Sequence, residues 1–476
     1  MTRRRLGFLV LAAPLVFGAC RPLGARRGRT VILASGADLQ SMNPLVTTHP
    51  LAKQVQRYAL LTTLVRYDRN LRIVPYLADR WAWSPDSVVL TFTLHRGVRW
   101  TDGVRTTARD AAFTLEAARQ AATGYPRRRD LAQVAEVTVA DDFTLVLRFD
   151  RRQTRMPDVL TDLAILPAHR FAGVRLSRMR EAAWNSNPVG NGPFRFVRHE
   201  ANRRWVFEAN PGFPSALGRP TIDRLVIAVV DEPMTKLASL AAGELDFAGI
   251  QPAHAEYVRA DPRLTVIDYP LLFSYAIVFN TRRPPFDRLS ARKAINLTVD
   301  RLEIVSGYLF GFGTPAAGPL PPELAGPGPK PLFAPGRGRG LLGDRPLKFE
   351  LLTVGSGEAA LEQMIQQQLA RIGVTVTIRQ LELAAFLDRV YRAHDFDAAV
   401  LGISGDLGLG YLGSILDLSG LPAAGSGREL LPVFADSVPA AFLYHARGVQ
   451  GMSRRMQNVA MDLRGELATL TQWRVP

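Results

Sequence analysis

A chain of 476 residues exceeds the roughly 250 to 300 residues at which a single hydrophobic core stops growing, so we expect two or three lobes. With 47% hydrophobic and 21% charged residues, its composition excludes a disordered chain. The net charge of +16 raises the question of a nucleic-acid partner. Nearly all of that charge is arginine spread along the whole chain, and the runs Arg26–Arg29 and Arg127–Arg129 lack interleaved aromatics for base stacking. We therefore expect no nucleic-acid interface and interpret these runs as solvated faces or a membrane-proximal tether.

The N-terminus has the pattern of an export signal. Basic residues at Arg3–Arg5 precede an apolar run that ends at Ala19, shorter than the ~20 residues that span a bilayer. This pattern predicts a signal peptide over 1–19. The run leads directly into Cys20, the single cysteine, which predicts a lipidated N-terminus followed by a tether over 20–29. An ordinary signal peptide with an incidental cysteine is the alternative.

The first part of the folded chain alternates short strands with amphipathic helices. Thr107, with Asp110 three residues after it, is typical of a helix N-terminus. Hydrophobic periodicity predicts strands at Val31–Ala34 and Val88–Leu94 and helices at Ala52–Leu64 and Ala108–Ala118. It also predicts a hairpin of Val134–Val139 with Leu145–Phe149.

A Pro- and Gly-rich cluster at 187–193 separates this part from the next. Beyond it the patterns predict strands Phe194–Val197, Trp205–Glu208 and Leu225–Val230, a helix Met234–Ala242 ended by Gly243, and a long surface loop Gly311–Gly343. The following segment alternates strand and helix, with strands Leu347–Thr353, Val374–Gln380 and Ala398–Ile403 and helices Ala359–Ile372 and Ala384–Ala393. Such alternation predicts helices covering a largely parallel sheet.

Several motifs occur in a collinear order along almost the whole chain. They are Leu94–Gly103 followed by Thr107–Asp110, then Pro188–Phe194, Gly243–Asp246, Phe279–Thr281, Pro285–Phe286, Arg292–Asn296 and Asp300–Arg301. In this order they resemble the extracellular solute-binding proteins of ABC importers, a family that includes oligopeptide, dipeptide and nickel receptors. Most of the motif residues are typical of turns and close packing, so we do not expect them to contact a ligand.

The resemblance implies an α/β protein of the bilobal periplasmic-binding-protein type, class II, with an additional domain in the first lobe. The implied division is 30–75, 188–272 and 450–476 for lobe I, 76–187 for the additional domain, and 273–449 for lobe II. It also implies a monomeric receptor that closes on peptides or peptide-like solutes and delivers them to the permease subunits of an ABC transporter. No cofactor and no enzymatic activity are expected.

The resemblance assigns one candidate ligand residue, Asp406. In peptide receptors of this family an acid after the corresponding strand pairs with the amino terminus of the ligand, and here the preceding aromatic is replaced by Ile403. The alternative is an Asp that stabilises the local turn. The segment 407–431 is a shortened Gly- and Ser-rich link. Tyr275 and Tyr444, near the expected hinge and cleft, are further candidates whose alternative is ordinary core packing.

Other chemistry is not indicated. The histidines show no metal-binding spacing, and Gly338–Gly343 fits a Gly-rich dinucleotide motif but lacks the strand before it and the helix after it. We find no nucleophile, base and acid in a recognisable order, so we expect no metal site and no catalytic residues. Two alternatives to a transport receptor stay open: a degenerate receptor acting as a surface adaptor or sensor, and an envelope hydrolase.

Overall fold

The computed structural model describes residues 28–326, 330–344, 346–423 and 427–476. The predicted signal peptide, Cys20 and nearly all of the predicted tether lie outside the described residues. Across the described ranges, no helix combines the length and the apolar character needed to cross a bilayer.

The strands are, in chain order, β1 (Thr30–Ser35), β2 (Val65–Tyr67), β3 (Ile73–Pro75), β4 (Ala78–Trp83), β5 (Val89–Leu94), β6 (Val134–Asp141), β7 (Thr144–Phe149), β8 (Phe194–Glu200), β9 (Arg204–Ala209), β10 (Arg224–Val229), β11 (Phe247–Gly249), β12 (Leu264–Phe279), β13 (Gly313–Pro315), β14 (Leu347–Val354), β15 (Val374–Leu381), β16 (Ala398–Ser404) and β17 (Ala440–Ser453).

The α-helices are α1 (Pro50–Val55), α2 (Ala108–Arg119), α3 (Val159–Asp162), α4 (Pro233–Ala241), α5 (Ala255–Ala260), α6 (Leu289–Thr298), α7 (Arg301–Gly307), α8 (Pro322–Ala325), α9 (Pro335–Leu342), α10 (Ala360–Ala370), α11 (Leu383–Leu387), α12 (Tyr411–Ser419) and α13 (Leu431–Ser437). Turns of π-helix extend α1 over Gln56–Leu60 and α11 over Asp388–Arg392.

One mixed sheet runs through the molecule in the order β15-β14-β16-β12-β17-β11-β1-β10-β9-β8, with β13 paired to β17. The strands β12 and β17 are antiparallel and belong to both halves of this sheet. Their pairing is interrupted by a register shift between Pro270 and Ser274. We call the part with β1 and β8–β11 the first half, and the part with β13–β16 the second half.

A separate four-stranded sheet, β4-β5-β7-β6, lies beside the first half. Helix α2 packs on this sheet, and the buried residues of the helix and the sheet share one hydrophobic core with the first half of the main sheet. The second half buries different residues on its two faces, with Ile277 and Phe279 in one cluster and Ala276 and Val278 in the other. This alternation is what a strand buried on both faces requires.

The motif around Trp100 proves to be a packing and hydrogen-bonding centre. The Asp110 carboxylate accepts the Thr107 backbone N–H at 2.8 Å, the Trp100 indole N–H at 3.2 Å and the Ala168 backbone N–H at 2.8 Å. Thr107 is the N-cap of α2, as predicted. Gly103 has a φ of +91°, a left-handed conformation that glycine adopts without strain. These hydrogen bonds therefore join the Trp100 turn, the N-terminus of α2 and the backbone at Ala168.

Most predicted elements are present within a few residues of their predicted ends, including the Val134–Phe149 hairpin and the parallel pairing of β14 with β15 and β16.

The helix predicted over Ala52–Leu64 was too long, because it ends at Leu60. Beyond it the chain pairs with the 187–193 cluster: Gly192 N–H donates to Leu60 O at 2.9 Å, and Thr62 N–H donates to Asn191 Oδ1 at 2.9 Å. A Cβ on Gly192 would lie 2.5 Å from Ala59 O, so only glycine permits this approach. The long strands β12 and β17 were not predicted.

The surface loop predicted over Gly311–Gly343 was wrong in part. It contains β13 and the helices α8 and α9. Its glycines disfavour helix by propensity, but tertiary packing against α6 stabilises α9. Gly338 is buried, and a Cβ there would lie 2.5 Å from Thr298 Oγ1 and 3.0 Å from Ala294 O.

The link predicted over 407–431 was also wrong in part, because Tyr411–Ser419 forms α12 and part of the remainder forms a 3-10 turn, Gly427–Leu430. Leu412, Ile415 and Leu416 are buried against the second half of the sheet. Hydrophobic contacts at helical spacing within this short stretch outweigh its glycines. Residues 424–426 lie outside the described residues.

The close α6–α9 contact generates a stability prediction. We expect Gly338→Ala to lower the free energy of unfolding by about 1 to 3 kcal/mol, because the added methyl group overpacks this contact. Gly340→Ala is the matched control in the same helix: no atom lies within 4 Å of the added Cβ, so helix propensity should leave stability unchanged or raise it by up to about 1 kcal/mol. Denaturant unfolding of the three proteins measures both effects. Equal stabilities of the two variants would contradict the packing of α9.

Candidate functional site

A cavity of about 710 Å³ lies between the additional sheet and the second half of the main sheet. One wall is formed by residues 127–133 and 151–159, and the opposite wall by residues 406–410, Gly427 and Glu429. We call it the Asp406 cavity. Its volume is within the range of about 300 to 1,000 Å³ that small-molecule sites occupy. Because one wall belongs to the additional domain and the other to the second half of the main sheet, a ligand bound in the cavity touches both.

Arg127 connects this cavity to a buried group of charges. Its guanidinium donates to Asp162 at 3.0 Å and to Asp130 at 2.7 Å. Asp162 also accepts from Arg57, and Lys53 lies close to it. Burial opposes ionisation of Asp162, but the three neighbouring cations hold the pKa of its carboxyl below its ordinary value. Burial likewise opposes the charge of Arg127, yet the adjacent carboxylates raise the pKa of its guanidinium. Both groups are therefore ionised, and Arg127 is held in place at the edge of the cavity.

Arg155 makes the direct contact across the cavity. Its Nη2 donates to Gly408 O at 3.3 Å and lies 3.7 Å from the carboxylate of Asp158. Asp158 also accepts from the Tyr67 hydroxyl, and burial together with that carboxylate raises the pKa of Tyr67. Asp158 thus orients Arg155 toward the opposite wall.

Asp406 lies in the cavity wall directly after β16. It is half-buried, and its Oδ1 accepts the Gly410 backbone N–H at 3.3 Å. The preceding Gly405 N–H donates to Leu272 O at 2.6 Å, which ties this loop to the register shift of β12. Arg127 on the other wall is close enough for Asp406 to contribute to the raised pKa of its guanidinium. The carboxylate therefore has one long hydrogen bond from its own turn and a face toward the cavity.

Tyr275 and Tyr444 are brought together with each other but not with Asp406. They are register partners on β12 and β17, with ring centroids 5.0 Å apart and planes 25° apart. Tyr444 is buried in the core of the second half, and Tyr275 packs against that core. Burial raises the pKa of both hydroxyls. Neither tyrosine is among the residues that line the Asp406 cavity, so a ligand role for them stays a prediction.

A second cavity of about 700 Å³ lies within the second half. Apolar residues such as Leu320, Phe434 and Phe442 dominate its lining. Buried His445 reaches it, with Nδ1 2.8 Å from the Ser274 hydroxyl, and burial lowers the pKa of its imidazole to about 4. All its lining residues fall between 296 and 445, so motion between the two halves does not open or close it. The Asp406 cavity is the better candidate for a ligand that acts through such motion.

Several lining residues were not identified from the sequence. The run Arg127–Arg129 was interpreted as a solvated face or tether, and the arginines at 151, 152 and 155 were not considered. The cluster of three arginines within five residues at Arg151–Arg155 is a visible signal of local charge. That signal alone did not reveal that the two arginine-rich loops converge opposite Asp406. No group of three or more His, Cys, Asp or Glu residues in the described ranges is arranged to hold a metal ion.

The fold and the cavity together define a class: a two-lobed α/β binding protein with an additional domain in the first lobe. Residues 72–415 match the family described as bacterial extracellular solute-binding proteins, family 5 middle. The chain belongs to this family, as its motifs indicated.

Relatives and solved structures agree with this assignment. A putative ABC transporter peptide-binding protein of Brucella ovis is 26% identical over 455 residues, covering 92% of this chain and 85% of the relative. Di/tripeptide-binding protein 2 of Pseudomonas aeruginosa is 28% identical over 433 residues, covering 83% and 79%. The ABC transporter substrate-binding protein CtaP of Listeria monocytogenes has the same fold, with a TM-score of 0.82 at 18% identity over 94% of this chain and 99% of that one.

Proposed function

We propose that this protein is the extracytoplasmic peptide-binding receptor of an ABC importer. The observation that carries the proposal is the Asp406 cavity, whose walls come from the additional domain on one side and from the second half of the main sheet on the other. The names of the Brucella and Pseudomonas relatives support peptides as the ligand class and an ABC transporter as the partner. These relatives are binding proteins, which agrees with the expectation that the chain is not an enzyme.

The proposed moving parts follow the division expected from the sequence. Lobe I comprises 30–75, 188–272 and 450–476, the additional domain 76–187, and lobe II 273–449. The register shift between Pro270 and Ser274 is our proposed hinge, because a break in ladder hydrogen bonding lets β12 bend without disrupting either half. Hinges of this kind need only a few residues that absorb a change in backbone angles.

Lobe closure is the first test of this function. We expect a bound tripeptide such as Ala-Ala-Ala to reduce the radius of gyration in small-angle scattering, because a ligand that touches both walls has a higher affinity for the closed form. The peptide should be recovered intact after incubation. An unchanged radius of gyration at saturating peptide, or hydrolysis of the peptide, would contradict a closing receptor.

We further propose that Asp406 pairs with the α-amine of the peptide. Its carboxylate lies at the carboxyl end of a sheet strand, where open α/β folds place ligand contacts. The competing role, stabilisation of the turn through the Gly410 N–H, uses a single 3.3 Å hydrogen bond and one carboxylate oxygen. The other oxygen is available to a cation in the cavity.

The size of the affinity change separates these two roles. Losing one partner of a buried charge pair costs about 3 to 5 kcal/mol, whereas an exposed pair is worth about 1 kcal/mol or less. We expect Asp406→Asn to weaken binding of Ala-Ala-Ala by about a hundredfold, or about 2.7 kcal/mol, because the pair is half-buried. N-acetylation of the peptide should weaken binding similarly, and the two losses should not add. Binding of Ala-Ala-Ala by Asp406→Asn as tightly as by the parent refutes the pairing.

We also propose that a lipid anchor at Cys20 attaches the protein to the membrane. It is supported by the apolar run that ends directly before the single cysteine. More than one acyl chain gives stable attachment, at about 0.8 kcal/mol per buried methylene.

Replacement of Cys20 by alanine tests the anchor. We expect the Cys20→Ala protein to move from the membrane fraction to the soluble extracytoplasmic fraction, because no acyl chain can be attached. The parent protein fractionated in parallel is the control. Retention of the variant in the membrane fraction after a high-salt wash contradicts the lipid anchor.

A further inference from the structure

The two walls of the Asp406 cavity carry opposite charge. Asp406 and Glu429 come from the second half, whereas the opposite wall contributes Arg127, Arg129, Arg151, Arg152 and Arg155. Two acidic residues, Asp130 and Asp158, also lie on the arginine wall. The positive charge that this wall can offer to a ligand depends on which of these charges are already paired within the protein.

The acidic residues of the arginine wall are already occupied. Asp130 accepts from Arg127 at 2.7 Å, and Asp158 accepts from the Tyr67 hydroxyl and neighbours Arg155. Arg127 has a second carboxylate partner in Asp162, and Arg155 donates to Gly408 O. Arg127 and Arg155 are therefore structural members of the wall, fixed by protein partners.

The side chains of Arg129, Arg151 and Arg152 make no hydrogen bond or ion pair to any residue that the structure describes. All of them are exposed, and Arg151 and Arg152 are consecutive in the loop after β7. Closing the cavity would bring these like charges into a less hydrated space, which is unfavourable unless anions enter with them. A guanidinium pairs especially well with a carboxylate, because its fork of donors matches the two oxygens.

We propose that the cavity selects acidic short peptides, whose side-chain carboxylates pair with Arg129, Arg151 and Arg152 while the amino terminus faces Asp406. This inference rests on the proposed peptide-binding function and adds the ligand class to it. The additional domain then has a direct role: it supplies the wall that determines which peptide is bound.

The test compares three tripeptides that share an amino terminus: Ala-Glu-Glu, its uncharged analogue Ala-Gln-Gln, and Ala-Lys-Lys. Calorimetry is performed on the parent, on Arg151→Gln/Arg152→Gln, and on the control Arg69→Gln/Arg80→Gln. The control removes the same charge from two exposed arginines outside the lining of the Asp406 cavity. It therefore separates local pairing from the long-range effect of net charge. Thermal unfolding of each variant confirms that it is folded.

We expect the parent to bind Ala-Glu-Glu about tenfold or more tighter than Ala-Gln-Gln, and Ala-Lys-Lys weakest. Arg151→Gln/Arg152→Gln should lose most of that ratio, and the control should keep it. Equal affinities for the three tripeptides in the parent overturn the acidic preference, and a ratio that survives in Arg151→Gln/Arg152→Gln overturns its assignment to these arginines. Both outcomes leave peptide binding intact. If the parent binds none of the three at millimolar concentration, the peptide-binding function fails, and the acidic preference fails with it.

Discussion

The antiparallel pairing of β12 with β17 is the interaction on which the rest of the structure depends. These two strands run through both halves of the main sheet, so both halves are built on the same hydrogen-bonded strand pair, a two-stranded ribbon. The first half adds β11 to β17, and the second half adds β16 to β12. Without this ribbon the two halves would share few backbone hydrogen bonds. With it, they are joined firmly, although the ladder is interrupted between Pro270 and Ser274 and again between Tyr275 and Ala276.

The break in that ribbon lies beside the candidate site. Leu272, within the register shift, accepts the N–H of Gly405, and Asp406 follows directly. At the proposed hinge, a change of backbone angle would therefore reach the loop that carries Asp406. The opposite wall belongs to another unit, because the additional sheet shares its hydrophobic core with the first half. The proposed opening and closing of the cavity therefore corresponds to the way the cores are divided.

The charges at this interface divide into a fixed and an available set. Asp162 with Arg57 and Arg127 forms the fixed set, where mutual pairing compensates for partial burial. Asp406, Arg129, Arg151 and Arg152 form the available set, which water and ligands can reach. A binding protein needs both kinds: fixed pairs hold the walls in place, and free charges recognise a solute. The same residue type, arginine, serves both purposes, and only its partners distinguish them.

The sequence by itself indicated the family, through the order of its motifs, and it gave the positions of most strands, because hydrophobic periodicity and turn residues act locally. It also identified Asp406 as a candidate, through the resemblance to peptide receptors in which an acid follows the corresponding strand. Only tertiary structure decided that α9 and α12 are helical, since packing against α6 and the second-half core outweighs their glycines. It also decided that loops at 127–129 and 151–155, distant in sequence, meet opposite Asp406. That convergence has no local signal, because it arises from how separate hydrophobic cores pack, and arginine in a loop looks the same whether it faces solvent or a cavity.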